Sequence, residues 1–213
     1  QKQYKMILLH FCAPFVAIDP SLGKVDKNCL SEETLMELII NEFLAKHKVM
    51  KDPFQPYELH SIRDLTLGDA NEVLEINWSF LMIKGSLALE WLPRKTERAI
   101  FCSNFLWGTV SLTDLPHTLT DLDLAYNRFS GNLDLTKLPD SLRTLDLRSN
   151  SFAGETDLGR LPAALTSLKL SGNLSLAGTI YSNDVLNKRN ILVDDTLIKD
   201  LRTLPGAMKN SIM

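Results

Sequence analysis

The sequence predicts an α/β repeat protein in which stacked coils form a solenoid with parallel strands. Two observations lead to this prediction. The segment "LDLAYNRFSG" at Leu122–Gly131 recurs as "LDLRSNSFAG" at Leu145–Gly154, and the two copies share the pattern L-D-L-x-x-N-x-F-x-G. Asparagine recurs with the same step of 23 residues, at Asn104, Asn127, Asn150 and Asn173.

Leucine follows the same step at three positions of each copy. The leucine set is Leu119, Leu122 and Leu124, then Leu142, Leu145 and Leu147, then Leu165, Leu168 and Leu170. The dipeptide Leu-Pro keeps the period as well, beginning at Leu92, Leu115, Leu138 and Leu161. The period places the repeats at 73–196, with copies starting near 73, 96, 119, 142, 165 and 188, and with weaker matches at both ends.

The alternation in "TDLDLAYN" predicts a short strand in each coil. Leu122 and Leu124 fall on one face of that strand, and Asp121 and Asp123 fall on the other. A single coil cannot bury its own apolar face, whereas stacked coils align their leucines into one continuous core. The asparagine after the strand is expected to form an asparagine ladder, in which its amide bonds backbone groups of its own coil and of the next one.

The pattern L-x-x-L-x-L-x-x-N-x-F-x-G-x-L resembles the leucine-rich repeat. The stretch "LPDSLRTLDLRSNSFAGETDL" is similar to leucine-rich-repeat proteins of kinetoplastid protists, and its x-F-x-G-x part is shared with the plant-type class. The resemblance covers about Val73 to Thr196. It implies a right-handed leucine-rich-repeat solenoid with parallel strands on the concave face, and a role as a recognition surface.

The flanks of the repeats are predicted to cover the ends of the solenoid. Residues 30–72 are interpreted as a helical N-terminal cap, with a helix between Leu30 and Lys48 that starts at Ser31. Its predicted apolar face consists of Leu35, Leu38, Ile39 and Phe43. Residues 197–213 are interpreted as a C-terminal cap and tail: Asp195 would cap a lid with the apolar face Leu197, Ile198, Leu201 and Leu204.

Residues 1–29 form an apolar N-terminal segment with two interpretations. Lys2 and Lys5 precede an apolar run from Met6 to Ile18, as in a secretory leader. The alternative is a segment that packs on the domain. A leader would place the protein outside the cell or at its surface, and its absence would favour the cytoplasm.

Composition argues against several classes of function. The net charge of −3 and the lack of a basic stripe argue against nucleic-acid binding. Cys12, Cys29 and Cys102 are far apart in the sequence and are expected to be free thiols. No motif for catalysis, a metal or a cofactor is recognisable, so the chain is expected to be non-enzymatic.

The remaining candidate site is the outward face of the predicted strands, where side chains vary from coil to coil while the core positions hardly change. It is expected to bind another protein or a peptide, with Tyr126 and Arg148 as the strongest individual candidates. The predicted partner-binding residues are Asp121, Asp123, Tyr126, Thr144, Asp146, Arg148 and Lys169. The alternative function is a secreted or membrane-associated structural protein of the cell surface, with the N-terminal segment as leader or anchor.

Overall fold

The computed structural model describes residues 26–52, 58–181 and 189–202, which divide into two compact units. The first unit is residues 1–30, and its described part contains a 3-10 helix of one turn, Lys27–Cys29. The side chain of Asp26 caps this turn by accepting a hydrogen bond from the backbone N–H of Asn28. The predicted leader or packed segment lies outside the described residues. The second unit, residues 31–213, contains the repeats.

Seven strands form the front sheet, in the order β1-β2-β4-β6-β8-β10-β12. Its strands are β1 Leu65–Leu67, β2 Val73–Asn77, β4 Arg98–Ile100, β6 Asp121–Asp123, β8 Thr144–Asp146, β10 Ser167–Lys169 and β12 Asn190–Leu192. β1 is antiparallel to β2, and all other neighbours are parallel. Paired residues stand one repeat apart, as in Asp121 opposite Thr144. The predicted parallel-strand solenoid is confirmed.

A second sheet, which the sequence did not predict, has six strands in the order β13-β11-β9-β7-β5-β3. Its strands are β3 Lys84–Gly85, β5 Phe105–Gly108, β7 Arg128–Gly131, β9 Ser151–Thr156, β11 Ser175–Ile180 and β13 Leu197–Asp200. Here the paired residues are closer in sequence than one repeat: Trp107 lies opposite Arg128, and Ser130 lies opposite Ser151. Each strand of the second sheet is therefore staggered against its neighbour.

The core is built from apolar side chains that repeat from coil to coil. Leu122, Leu145 and Leu168 align on neighbouring front strands, and each is fully buried. Phe129 and Phe152 stack with ring centroids 6.3 Å apart. Because each apolar group contacts its equivalent in the next coil, the core continues without interruption along the solenoid.

The four repeating asparagines, called the Asn row here, connect consecutive coils. In Asn127, Nδ2 donates hydrogen bonds to the backbone oxygens of Phe101, Leu124 and Ala125, and Oδ1 accepts from the backbone N–H of Leu106. Asn104, Asn150 and Asn173 make the equivalent bonds. The neighbouring coil that each amide reaches is the preceding one. The expectation that it would be the next one was wrong.

The residue before each asparagine position turns the backbone from the front sheet towards the second sheet. These residues have a left-handed φ of 51° to 77° and recur once per coil: Phe80, Ser103, Tyr126, Ser149, Gly172 and Asp195. Left-handed φ is unfavourable for residues with a side chain, and especially for bulky ones. Phe80 and Tyr126 are the bulky members of this set.

The N-terminal helix α1 spans Glu32–Asn41 and is shorter than predicted. It starts as expected, with Ser31 accepting a hydrogen bond from the backbone N–H of Thr34. It ends early because the following chain joins the first coil: Phe43 pairs with Gly85, and the backbone N–H of Leu44 donates to Lys84 O at 2.8 Å. The buried residues of the helix are Leu35, Met36, Ile39 and Ile40, whereas Leu38 is only partly buried.

The predicted C-terminal lid is a strand in its first part. Leu197–Asp200 is β13, which continues the second sheet by pairing with β11. Asp195 is the left-handed residue of the last coil rather than the cap of a lid. The segment is a strand because its backbone pairs in parallel with β11, as the backbone of β11 does with β9. Leu204 lies outside the described residues.

Candidate interaction surface on the front sheet

The register of the front sheet brings the predicted partner-binding residues together. Asp121 lies opposite Thr144, and Asp146 lies between Asp123 and Lys169 on its two neighbouring strands. Tyr126 and Arg148 lie in the turns that follow β6 and β8. The seven candidates therefore share one face across three consecutive coils.

Asp146 differs from the expectation of a solvated side chain, because it is only 3% exposed. Its Oδ1 accepts from Arg148 Nε at 2.9 Å, and its Oδ2 accepts from Arg148 Nη2 at 2.8 Å. Lys169 Nζ, one coil further on, also donates to Oδ2, at 3.1 Å. The side chains of Arg148 and Lys169 cover this carboxylate. We conclude that Asp146 positions two cations and is not itself available to a partner.

The two neighbouring carboxyl groups on this face have pKa values shifted in opposite directions. Burial acts to raise the pKa of Asp146, but the hydrogen bonds from Arg148 and Lys169 outweigh it, so that this pKa lies below its ordinary value. Asp123 has a raised pKa, chiefly because it is desolvated, and the nearby charge of Asp146 adds to the effect. Both cations are hydrogen-bonded to Asp146, whereas Lys169 lowers the pKa of Asp123 only through its charge and does not outweigh the desolvation.

Cys102 lies one coil before Asp123 and contacts its carboxyl group. Burial raises the pKa of the Cys102 thiol to about 11, and the charge of Asp123 and a hydrogen bond to it act in the same direction. A thiol with so high a pKa is protonated at neutral pH and is a poor nucleophile. Of the cysteines that the structure describes, Cys29 and Cys102 are both free. Cys12 lies outside the described residues.

Tyr126 is the most exposed candidate, with 52% of its surface accessible. The guanidinium carbon of Arg148 lies 5.7 Å from the centre of its ring, in a cation–π arrangement. The backbone N–H of Tyr126 also donates to Arg148 O at 2.8 Å. Arg148 is therefore held on one side by Asp146 and on another by Tyr126, which fixes its donors before any partner arrives.

Asp121 and Thr144 form a more weakly organised margin of the same face, and both are half-buried. Thr120 Oγ1 donates to Asp121 Oδ2 at 2.7 Å. Closer to the N-terminus, Arg98 on β4 pairs with Glu75 on β2 at 3.3 Å, and its side chain is 51% exposed. An ion pair this exposed contributes little to stability and can exchange partners readily.

The described residues contain no group of three or more His, Cys, Asp or Glu side chains that could hold a metal ion. Within the same ranges, no helix has the length and apolar character that a membrane crossing requires.

Sequence reasoning missed the exposed apolar side chains, which lie mainly on both sides of the Asn row rather than on the strand face. Members of this set are Phe80, Met82, Phe105, Trp107, Leu174 and Leu197. A signal was present in the sequence: apolar residues directly after the asparagine position break the alternation that a buried strand requires.

Comparison with known proteins agrees with this architecture. The family model for the Leucine Rich Repeat matches residues 141–168. None of the curated proteins compared matches the chain. Among solved structures, the ectodomain of the receptor kinase SOBIR1 from Arabidopsis thaliana aligns with a TM-score of 0.61 and 19% identity, over 80% of this chain and 95% of that chain.

Two further ectodomains from Arabidopsis thaliana are similar. That of BIR2 aligns with a TM-score of 0.61 and 15% identity, over 83% of this chain and 97% of that one. That of the membrane receptor kinase GASSHO1/SCHENGEN3, in complex with CASPARIAN STRIP INTEGRITY FACTOR 2, aligns with a TM-score of 0.59 and 19% identity. This match covers 79% of the chain but only 21% of that receptor chain. Identities this low establish the fold alone, and the likeness to kinetoplastid proteins stays a prediction. The chain has the leucine-rich-repeat solenoid fold of the plant type.

Proposed function

We propose that the chain is a non-enzymatic scaffold that binds another protein or a peptide through the solvent-facing side of the front sheet, the concave face of the solenoid. The observation that carries the proposal is the pair formed by Tyr126 and Arg148. Tyr126 is exposed, and Arg148 is oriented by the buried Asp146 and by the tyrosine ring. Tyrosine and arginine are the side chains that most often dominate interface energies, and orienting them in advance lowers the entropy cost of binding.

The architecture supports the same function. Core positions stay apolar from coil to coil, whereas the outward positions on adjacent strands carry Asp121, Thr144 and Ser167 in one row. This is how repeat proteins build a specific surface on a constant scaffold. One structural neighbour with the same fold was solved in complex with CASPARIAN STRIP INTEGRITY FACTOR 2, and another match is a complex of BIR3 with SERK2.

The test is selection of peptides from a random display library on the immobilised full chain, followed by affinity measurement on variants. Tyr126→Ala removes the exposed ring without disturbing the contacts of Asp146. We expect it to weaken the selected peptides about tenfold or more, as for a central hot-spot residue. Arg148→Ala is less suitable, because it would also leave the Asp146 carboxylate with fewer partners.

Tyr181→Ala is the matched control. Tyr181 follows β11 in the second sheet and is 56% exposed, so the same side chain is removed at similar exposure away from the front sheet. The proposal would be abandoned if no peptide were selected, or if Tyr181→Ala weakened binding while Tyr126→Ala did not.

A further inference from the structure

The N-terminal part of the second sheet carries a group of exposed apolar and cationic residues on the opposite side of the Asn row from the front sheet. We call it the edge patch and define it as Met82, Lys84, Phe105, Trp107 and Arg128. Phe105 and Trp107 are 37% and 40% exposed, and Met82 is 58% exposed. The C-terminal coils carry Leu174 and Leu197 at the repeat position of Met82 and Phe105, but no aromatic residue there.

The members of the edge patch on neighbouring strands lie close together. Lys84 on β3 pairs with Phe105 on β5, and Trp107 on β5 pairs with Arg128 on β7. Lys84 Nζ and Arg128 Cζ lie 6.0 Å and 5.1 Å from the centre of the Phe105 ring. One aromatic ring is therefore flanked by two cations, and a second aromatic side chain stands beside one of them.

These cations have no carboxylate partner among the described residues. Lys84 and Arg128 form no ion pair there, although both are exposed. The nearby acid, Glu42, accepts instead a hydrogen bond from Ser86 at 2.6 Å. A guanidinium near an aromatic ring keeps donors that can engage a carboxylate. The edge patch thus offers apolar surface together with uncompensated positive charge, in a chain with a net charge of −3.

Backbone strain gives an independent reason to assign a function to this region. Met82 has a φ of 53°, in the left-handed region. This conformation is unfavourable for a residue with a bulky side chain. The residues at the same repeat position in the following coils, Phe105, Arg128, Ser151 and Leu174, do not have a positive φ. A buried side chain could repay that strain by packing, whereas Met82 is 58% exposed and does not.

We infer that the edge patch is a second docking site, separate from the front sheet, for an acidic and apolar peptide segment of another protein. Apolar side chains of the segment would cover Phe105 and Trp107, and its Asp or Glu side chains would pair with Lys84 and Arg128. Charge complementarity selects this occupant. Single-stranded nucleic acid, which also combines negative charge with stacking, and a second copy of the chain are outcomes that the experiment distinguishes.

The experiment measures binding of the full chain to short fluorescent peptides in which Asp and Glu alternate with Leu and Phe. A matched set replaces the acids by Lys and Arg, and an oligothymidine is the nucleic-acid probe. We expect the acidic peptides to bind and the basic peptides and the oligothymidine not to bind. The double variant Lys84→Glu/Arg128→Glu should lose the acidic peptides by about tenfold or more and gain affinity for the basic ones.

Matched controls separate a docking role from a structural one. Met82→Gly removes an exposed apolar side chain and relieves left-handed strain, so we expect it to weaken the acidic peptides while leaving the unfolding free energy unchanged or higher. Leu197→Ser and Arg160→Glu change exposed residues of the C-terminal half and should leave peptide affinity unchanged. Tyr126→Ala should also leave it unchanged, which separates this site from the front sheet.

The inference is overturned by any of three results: the acidic peptides do not bind, they bind equally to the charge-reversed variant, or the oligothymidine binds more tightly than they do. It is also overturned if the full chain dimerises in analytical ultracentrifugation and Trp107→Ser abolishes the dimer, because the occupant would then be a second copy. None of these results bears on Tyr126, so the proposed function of the front sheet stands or falls separately.

Discussion

Asp146 accepts hydrogen bonds from both Nε and Nη2 of Arg148, two residues further along the same coil. The carboxylate is almost fully buried, and Lys169 donates to it as well. Asp146→Ala removes the acceptor that all three donors share. We expect the free energy of unfolding in a urea titration to fall by about 1 to 3 kcal/mol, moderated by the partial exposure of the two cations.

The control for this change is Asp121→Ala, on the same face one coil earlier. Asp121 is half-buried and bonds only to the neighbouring Thr120 side chain, so we expect a loss within about 0.5 kcal/mol. Equal losses for the two variants would show that the cations around Asp146 do not stabilise the fold.

The same carboxylate makes stability depend on acid pH. The pKa of Asp146 in the folded chain lies below the ordinary value of 3.8, so its contribution to stability is present above that value and is lost as pH falls through the folded pKa. We therefore expect the difference in unfolding free energy between the native chain and Asp146→Asn to be constant near neutral pH and to shrink at strongly acid pH. A difference that grew on acidification would contradict the assigned direction.

Asn150 tests the connections between coils. Its Oδ1 accepts from Phe129 N at 3.0 Å, and its Nδ2 donates to Leu124 O at 3.0 Å, both in the preceding coil. Asn150→Leu leaves these buried backbone groups without partners, and we expect a loss of about 1 to 3 kcal/mol in a urea titration. Asn132→Leu, at an exposed asparagine, is the matched control and should change stability little. Equal losses of unfolding free energy for the two variants would show that the Asn row does not hold the coils together.

Gly85 tests how the helix joins the first coil. A Cβ at this position would lie within 2.2 Å of the backbone oxygen of Glu42, and its φ of 142° is unfavourable for other residues. We expect Gly85→Ala to cost on the order of 2 kcal/mol or more of unfolding free energy and to separate α1 from the repeats. Gly159→Ala, at an exposed glycine, is the control. Hydrogen exchange should show faster exchange in α1 for Gly85→Ala only.

Cys102 provides a chemical probe of the front sheet. With its pKa raised to about 11, this thiol carries about a hundredfold less thiolate than one at the ordinary value of 9.0, so iodoacetamide should modify it slowly. Cys29 is exposed and should react faster when both sites are followed by mass spectrometry. Asp123→Asn should accelerate modification of Cys102. If that variant reacted no faster, burial alone would account for the raised pKa.

The regular part of the fold was predictable from the sequence because each position of the repeat keeps its environment from coil to coil. The strands around Leu122 and Leu145 could be placed from the period alone. The second sheet could not, because its outward positions carry residues as different as Phe105, Arg128 and Ser151, so that no residue type marks them from coil to coil. The helix was predicted to be too long because its apolar pattern continues to Phe43, whose backbone pairs with Gly85 instead.

The candidate face was predictable as a surface but not as a set of interactions. The alternation that places Asp146 outward holds for Asp123 too, yet the first is buried and the second is half-buried. Burial of Asp146 depends on Arg148 and on Lys169 of the following coil, and a pattern read along one strand contains no information about its neighbours. The edge patch was missed for a related reason, since the pattern along one strand does not show that the Phe105 ring lies between Lys84 and Arg128 of the neighbouring coils.

The register of the front sheet determines what would follow if one coil were duplicated. In the front sheet, a residue and its neighbour occupy the same repeat position, so an inserted coil would extend every row and the Asn row would form its bonds again. Contacts within a coil, such as that of Asp146 with Arg148, would move with it. A contact between coils, such as that of Asp146 with Lys169, would be broken if the new coil were inserted between the coils of these two residues. Lengthening this solenoid would therefore preserve its backbone while redistributing the charges on its front sheet.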